Sequence, residues 1–296
     1  MGFHYDVVYL KGVNQENEDA YVAMEETGVF SVIDGATGLG SLSGKMAAEI
    51  IKETLEQEAE HQSLMNSIDI GNGRIRKKVC EKMNTDDFDS IPKENRSTCG
   101  LATIRIKENK VEYVHGGDCM IFVQYGNKEI RQITYDHLSK LDGVSIELHK
   151  HSIDSRLGDG VDVDPNTWSE TEITNLLKDT RQEILPKIIE NRRKLNTKGG
   201  YGVLDGSSEA ISYLDYGMFP LYDAKRILLL SDGLQLPFHK ATGQDAWVKT
   251  ASYAFDNGLE ALKNEVLNLE STDKACYTYP RLKFADDKTG ILIEFE

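Results

Sequence analysis

Two near-continuous apolar runs, Val29-Phe-Ser-Val-Ile33 and Ile227-Leu-Leu-Leu230, each lead into an Asp-Gly pair. Runs of this length ended by a turn signal read as strands buried on both faces. The same reading gives strands over 5–10, 20–24, 98–106, 110–115, 120–125, 129–134, 201–204 and 289–295. Helical spacing of apolar residues predicts helices over 44–60, capped by Ser43, and over 73–83, 246–255 and 259–269, with a short one over 209–216. Residues 169–195 carry an apolar helical face through Ile173, Leu176, Ile184 and Ile188, and Pro186 divides it into two expected helices. Between 136 and 165 turn signals are frequent and periodicity is weak. Strands arrive in runs and helices in pairs, which suggests α+β layers and not strict βαβ alternation. One domain spans 1–296 on this reading, with 136–198 as a partly helical elaboration.

The two buried strands pose a chemical question, because each delivers a carboxylate to its mouth. Burying an unpaired carboxylate is costly, so a partner is expected. Asp-Gly also occurs at Asp142, Asp159 and Asp205. There its ordinary meaning, a turn, suffices. Asp34 and Asp232 differ in ending long apolar runs. Further acids sit at strand edges: Glu18 and Asp19, Asp118, and the pair Asp286-Asp287. Clustered carboxylates with a free backbone carbonyl and no Cys/His ligand set select hard cations such as Mg²⁺ or Mn²⁺. Two such ions sharing a carboxylate suit metal-assisted phosphoester hydrolysis.

Composition narrows the class without changing it. Hydrophobic residues make up 40% of the chain, enough for a core, and the net charge is −15. That charge opposes nucleic-acid and anionic-membrane partners. Cys80, Cys99, Cys119 and Cys276 lack CxxC spacing, so reduced thiols in a cytoplasm are expected. The first residues show neither the basic-then-apolar pattern of a secretory signal nor a full myristoylation motif, since Asp6 stands where Ser or Thr is required.

Six short motifs then align in order: Asn17-Glu-Asp-Ala20, Val32-Ile-Asp-Gly35, Gly117-Asp118, Thr134-Tyr-Asp-His-Leu-Ser139, Leu230-Ser-Asp-Gly-Leu234 and Asp286-Asp-Lys-Thr289. In this order the chain resembles the metal-dependent serine/threonine phosphatases of the protein phosphatase 2C type, in their bacterial branch. Asn196-Thr-Lys-Gly-Gly-Tyr-Gly-Val203 is similar to a segment of some bacterial members. The resemblance implies a four-layer α/β/β/α sandwich, two antiparallel sheets flanked by helices, with a two-metal centre at one end. It implies that Asp34 bridges both ions and that the Gly35 carbonyl, Asp232 and Asp286 complete the first. Asp19 with Glu18 would hold the second, and Asp118 would serve a third, weaker ion. Mn²⁺ or Mg²⁺ is the implied cofactor. The implied partners are a phosphorylated protein and a cognate serine/threonine kinase, with the enzyme a cytoplasmic monomer.

Two positions depart from the family pattern. Asn14 stands where many members carry a phosphate-gripping Arg, and Asn has neither its charge nor its fork. Lys11 is the nearby candidate to compensate. Ala36 stands where some members carry a His proton donor, and His115 is a second candidate for that role. These departures support a rival: a phosphatase-like binding module with little or no turnover. Hydrolysis of a small phosphoester is a third reading that shares the metal chemistry.

Overall fold

The computed structural model describes residues 2–40, 42–157, 163–238 and 244–296. In chain order the strands are β1 (Phe3–Leu10), β2 (Ala20–Met24), β3 (Val29–Ala36), β4 (Thr98–Lys107), β5 (Lys110–Gly116), β6 (Met120–Tyr125), β7 (Ile130–Gln132), β8 (Asp215–Pro220), β9 (Ala224–Leu230) and β10 (Lys288–Phe295). The helices are α1 (Gly44–Glu58), α2 (Leu64–Met83), α3 (Ser139–Leu157), α4 (Glu170–Arg192), α5 (Gln244–Asn257) and α6 (Leu259–Thr272). One sheet runs β1-β10-β9-β6-β7 and the other β2-β3-β4-β5-β8. Every strand pairing is antiparallel.

Side-chain alternation explains why the strands read as continuously apolar. On β3, Phe30 and Val32 face the other sheet, where they meet Ile227, Leu229, Ile291 and Ile293. Val29 and Ile33 face outward onto Ala47, Ile51, Leu55 and Ile75 of α1 and α2. On β9 the partition repeats, with Leu228 and Leu230 facing Trp247, Phe255 and Leu262 of α5 and α6. Both faces of each central strand are buried, so neither shows a polar period. The result is the four-layer α/β/β/α sandwich.

Several local expectations are corrected. β3 does not stop at Asp34: it continues in register, with Asp34 opposite Gly100 and Gly35 opposite Cys99. The Ser43 side chain makes no cap bond; the Gly44 amide instead donates to Thr37 Oγ1 at 2.9 Å and Glu18 Oε1 at 3.2 Å. α2 starts nine residues earlier than the 73–83 pattern, at Leu64, where Ser63 Oγ accepts from Asn66 N. The weakly periodic 136–165 stretch contains the 19-residue α3, whose buried side is mostly polar, including Ser145 and His149. α4 is one helix with Pro186 inside it. Its capping box, Ser169 with Glu172, secures the N-terminus. Residues 201–204 form only isolated bridges. The expected helix over 209–216 shrinks to a 3₁₀ turn, and β8 begins at Asp215.

Within 136–198, α3 and α4 form a helix pair. Thr180 bonds His149 at 2.8 Å, and Asn191 Nδ2 donates to Ser145 Oγ at 3.1 Å. Buried polar contacts replace an apolar seam, which is why periodicity fails to reveal α3. The pair leans on the 273–287 loop through Asn166 to Asp273 at 2.9 Å and Arg181 to the Leu282 carbonyl.

Candidate metal centre

Strand ends converge on one edge of the sandwich. Asp34 lies near the end of β3, Asp118 follows the β5–β6 turn, and Asp232 follows β9. Carboxylate oxygens of these three lie within 4.8 Å of one another. Gly117 makes the turn before Asp118 with a left-handed φ of +83°, and its carbonyl accepts from the His137 amide at 3.1 Å. Two close backbone approaches shape the floor. A Cβ on Gly35 would lie 2.3 Å from the Glu18 carbonyl oxygen, and one on Gly233 would lie 1.8 Å from the Asp287 carbonyl oxygen. Only glycine admits these contacts, which lock the Asp34 and Asp232 strands against the loops that carry the remaining acids.

Asp19 and Asp287 have clear positions. Asp19 is 2% exposed; its Oδ2 accepts from Thr289 Oγ1 at 2.7 Å and Ser231 Oγ at 2.9 Å. Asp287 accepts the Gly12 and Glu18 amides at 2.7 and 2.8 Å, so it holds the N-terminal loop. Asp286 is left to face the acids. Glu18 turns away to Thr37 and the first amide of α1, a favourable place for a carboxylate at a helix N-terminus. Asn14 Nδ2 rests on Glu18 Oε2 at 3.4 Å, and Lys11 on the Gln15 carbonyl at 3.3 Å.

Crowding shows in the acidities. Burial, then repulsion from Asp286 and Asp232, raises Asp19 to about 7, against hydrogen bonds from Thr289 and Ser231 that oppose the shift. Burial and Asp286 raise Asp232 to about 7, and the Lys283 charge and then a hydrogen bond with Asp34 partly offset this. Asp34 is pushed up by burial and by Asp232, Asp19, Asp118 and Asp286. Asp118 is raised by burial, Asp232 and Asp136. These groups hold protons when nothing else neutralises them, and a carboxylate set of this kind is chemically suited to divalent cations.

The structure also recruits residues that the sequence did not suggest. Asp142 belongs to α3 and not to a turn; burial and Asp232 raise it to about 7, so its charge reaches the cluster. Arg192, near the end of α4, counters Asp142 and Glu18. Lys283 forms an ion pair with Asp286. No spacing rule could signal these, because each reaches the edge through the helix pair or the 273–287 loop. Asp205 is also no simple turn: it is fully buried, paired with Arg96 Nη1 at 2.9 Å and bonded by Asn196 and Ser207. Asp159 lies outside the described residues.

His115 is fully buried, and burial holds its pKa below the ordinary value. Its neighbours are His137, at 5.0 Å between ring centroids, and Asp215 at 3.6 Å. The Gly202 amide donates to His137 Nδ1 at 3.4 Å. That leaves the ring proton on Nε2, which donates to Asp215 Oδ2 at 3.1 Å. Asp215 is thus hydrogen-bonded to His137, while His115 packs against both with neither ring nitrogen hydrogen-bonded.

With this architecture the chain has the fold of bacterial serine/threonine phosphatases. Three solved structures carry the comparison. The Mycobacterium tuberculosis phosphatase PstP/Ppp matches with a TM-score of 0.57 and 18% identity over 99% of this chain and 99% of that one. Stp1 from Staphylococcus aureus matches with a TM-score of 0.58 and 16% identity over 100% of this chain and 96% of that one. A PstP catalytic domain in complex with two manganese ions aligns with a TM-score of 0.54 and 17% identity over 99% of this chain and 97% of that one. No protein-family model matches the sequence, and no curated protein matches it.

Proposed function

We propose that the chain is a Mn²⁺- or Mg²⁺-dependent phosphatase acting on phosphoserine or phosphothreonine in proteins. The observation that carries this is the convergence of Asp34, Asp118 and Asp232 within 4.8 Å, with Asp19 and Asp286 against them. Asp34, at the centre of the mutual repulsion, would be shared by two ions. The Gly35 carbonyl, Asp232 and Asp286 would hold the first ion, Asp19 the second, and Asp118 with Asp232 a third. Glu18, anchored on Thr37 and the α1 N-terminus, would support the second ion from outside. When bound, the ions supply charge to the phosphoryl group and lower the pKa of a water. The chain's own contribution is to fix the acids before the ions arrive: Ser231 and Thr289 orient Asp19, and the Asp287 clamp holds the loop bearing Glu18. Asp142 and the α3–α4 pair border the centre, so the elaboration shapes access to it.

The substrate is written by a serine/threonine kinase in the same cytoplasm, and the enzyme works as a monomer within one signalling circuit. Among the described residues no helix is long and apolar enough to cross a membrane. The test is Mn²⁺-stimulated phosphate release from p-nitrophenyl phosphate and from a phosphothreonine peptide. Activity in the wild type that vanishes in Asp34→Asn is expected; a wild type no more active than Asp34→Asn would sink the proposal. Two positions favour the binding-module reading instead: Asn14, already engaged by Glu18, and Ala36, which offers no donor. Turnover of the peptide excludes that reading.

A further inference from the structure

Lys283 stands on the loop that precedes β10, three residues before Asp286, and its ammonium lies on Asp286 Oδ1. Its side chain is 42% exposed, whereas that of Asp286 is 20% exposed. The charged end is therefore lodged at the acids while the stem lies along solvent. Lys288, the neighbouring lysine, is different. It is 1% exposed and points its ammonium at Glu270 Oε1, 2.8 Å away, and at the Asp286 carbonyl, 2.9 Å away. Its charge is already used, and it cannot swing out. Among the described residues, Lys283 is the cation in direct contact with an acid of the cluster.

We infer that Lys283 is a tethered counter-ion that occupies Asp286 in the metal-free protein and must be displaced by the divalent ion, so that it sets the metal concentration at which the centre fills. This rests on the metal-centre reading above. The physical argument is a competition between cations. Five carboxylates held together repel one another, and an ammonium among them relieves part of that repulsion. A divalent ion at Asp286 has to break the ion pair and tolerate a positive charge nearby. A stem half in solvent lets the ammonium withdraw to water with little loss of packing. The 273–287 loop is stiff enough to keep it close: Asp273 accepts the Tyr277, Thr278 and Tyr279 amides at 2.8 to 3.0 Å, and Arg281 pairs with it at 2.7 Å. Lys283 thus returns when the ion leaves.

Two readouts move in opposite directions. In calorimetric Mn²⁺ titrations at pH 8, Lys283→Met should bind the ion about fivefold more tightly than wild type, the effect of one partly exposed ion pair. Lys283→Arg should stay near wild type. In EDTA, Lys283→Met should melt at a lower temperature, because the acids lose their internal cation, and its Mn²⁺-induced rise should exceed that of wild type. A folded Lys283→Met protein with equal or weaker Mn²⁺ affinity overturns the inference. A wild type that binds no Mn²⁺ overturns both it and the metal centre. A wild type that binds Mn²⁺, shows the predicted shift and hydrolyses no phosphoester leaves the inference standing and removes only the phosphatase reading.

Discussion

At the scale of single residues, neighbouring acids with the same chemistry carry different duties. Asp286 and Asp287 are adjacent, yet one faces the cluster and the other clamps two amides of the N-terminal loop. Asp287→Ala should therefore destabilise the fold by about 2 kcal/mol, because two half-buried amides lose a charged acceptor. Urea unfolding of the EDTA-treated protein would measure it. Asp286→Asn should leave that stability close to wild type, since it also removes repulsion, while calorimetry shows weakened Mn²⁺ binding. Equal stability losses in the two variants would contradict this division. Both Asp287 oxygens are committed to the N-terminal loop, one to each amide. Glu18 could not be placed from sequence. Its duty at the α1 N-terminus depends on Gly35 and Gly44 bringing that helix against β3.

At the scale of elements, strands were easier to read than connections. The central strands bury both faces and announce themselves as apolar runs. α3 hides because its buried residues are Ser145, His149 and Ile153, and a polar helix interface leaves no 3.6-residue period. Pro186 misled for a different reason. A proline removes one helical hydrogen bond and strains one turn, but α4 is anchored by its capping box and by Asn191 and Thr180 contacts to α3, so the helix continues through it. The 195–207 segment shows how an irregular connection is secured without a strand. Arg96 lies over the Phe88 ring at 4.2 Å and pairs with fully buried Asp205. Arg96→Met should cost about 3–5 kcal/mol in urea unfolding, because Asp205 is left as an uncompensated buried charge. The double variant Arg96→Met with Asp205→Asn should recover part of that loss.

At the scale of the molecule, an acid cluster at one edge links stability to pH and metal. In the metal-free protein Asp19 and Asp232 titrate near 7 instead of the ordinary 3.8. A folded-state pKa above the unfolded one means that folding favours the proton-bound form. That stability is fully present below the unfolded value and is lost as pH rises through about 7. In EDTA the melting temperature should accordingly fall between about pH 4 and 7. Saturating Mn²⁺ should abolish the fall at its upper end, since the ion replaces the protons. Melting curves that stay flat over this range in EDTA would show that the acids are not crowded as described.

The sequence by itself determined the layers and the mouth of the site. Apolar runs of strand length specify buried strands, and an Asp at the end of such a run has to be compensated by something outside the strand. Asp34 and Asp232 were legible for that reason. What the tertiary structure alone decided is which other groups share their space. Asp142 comes from the polar-faced α3, Arg192 from the end of α4 and Lys283 from an irregular loop, and no local pattern in any of them says where it packs against the acids. Their place follows from long-range packing, chiefly the helix pair seated on a loop stiffened by Asp273. Val29–Ala36 illustrates both halves: its composition specified a buried strand, and its pairing with β4 carried that strand through Asp34 into the centre.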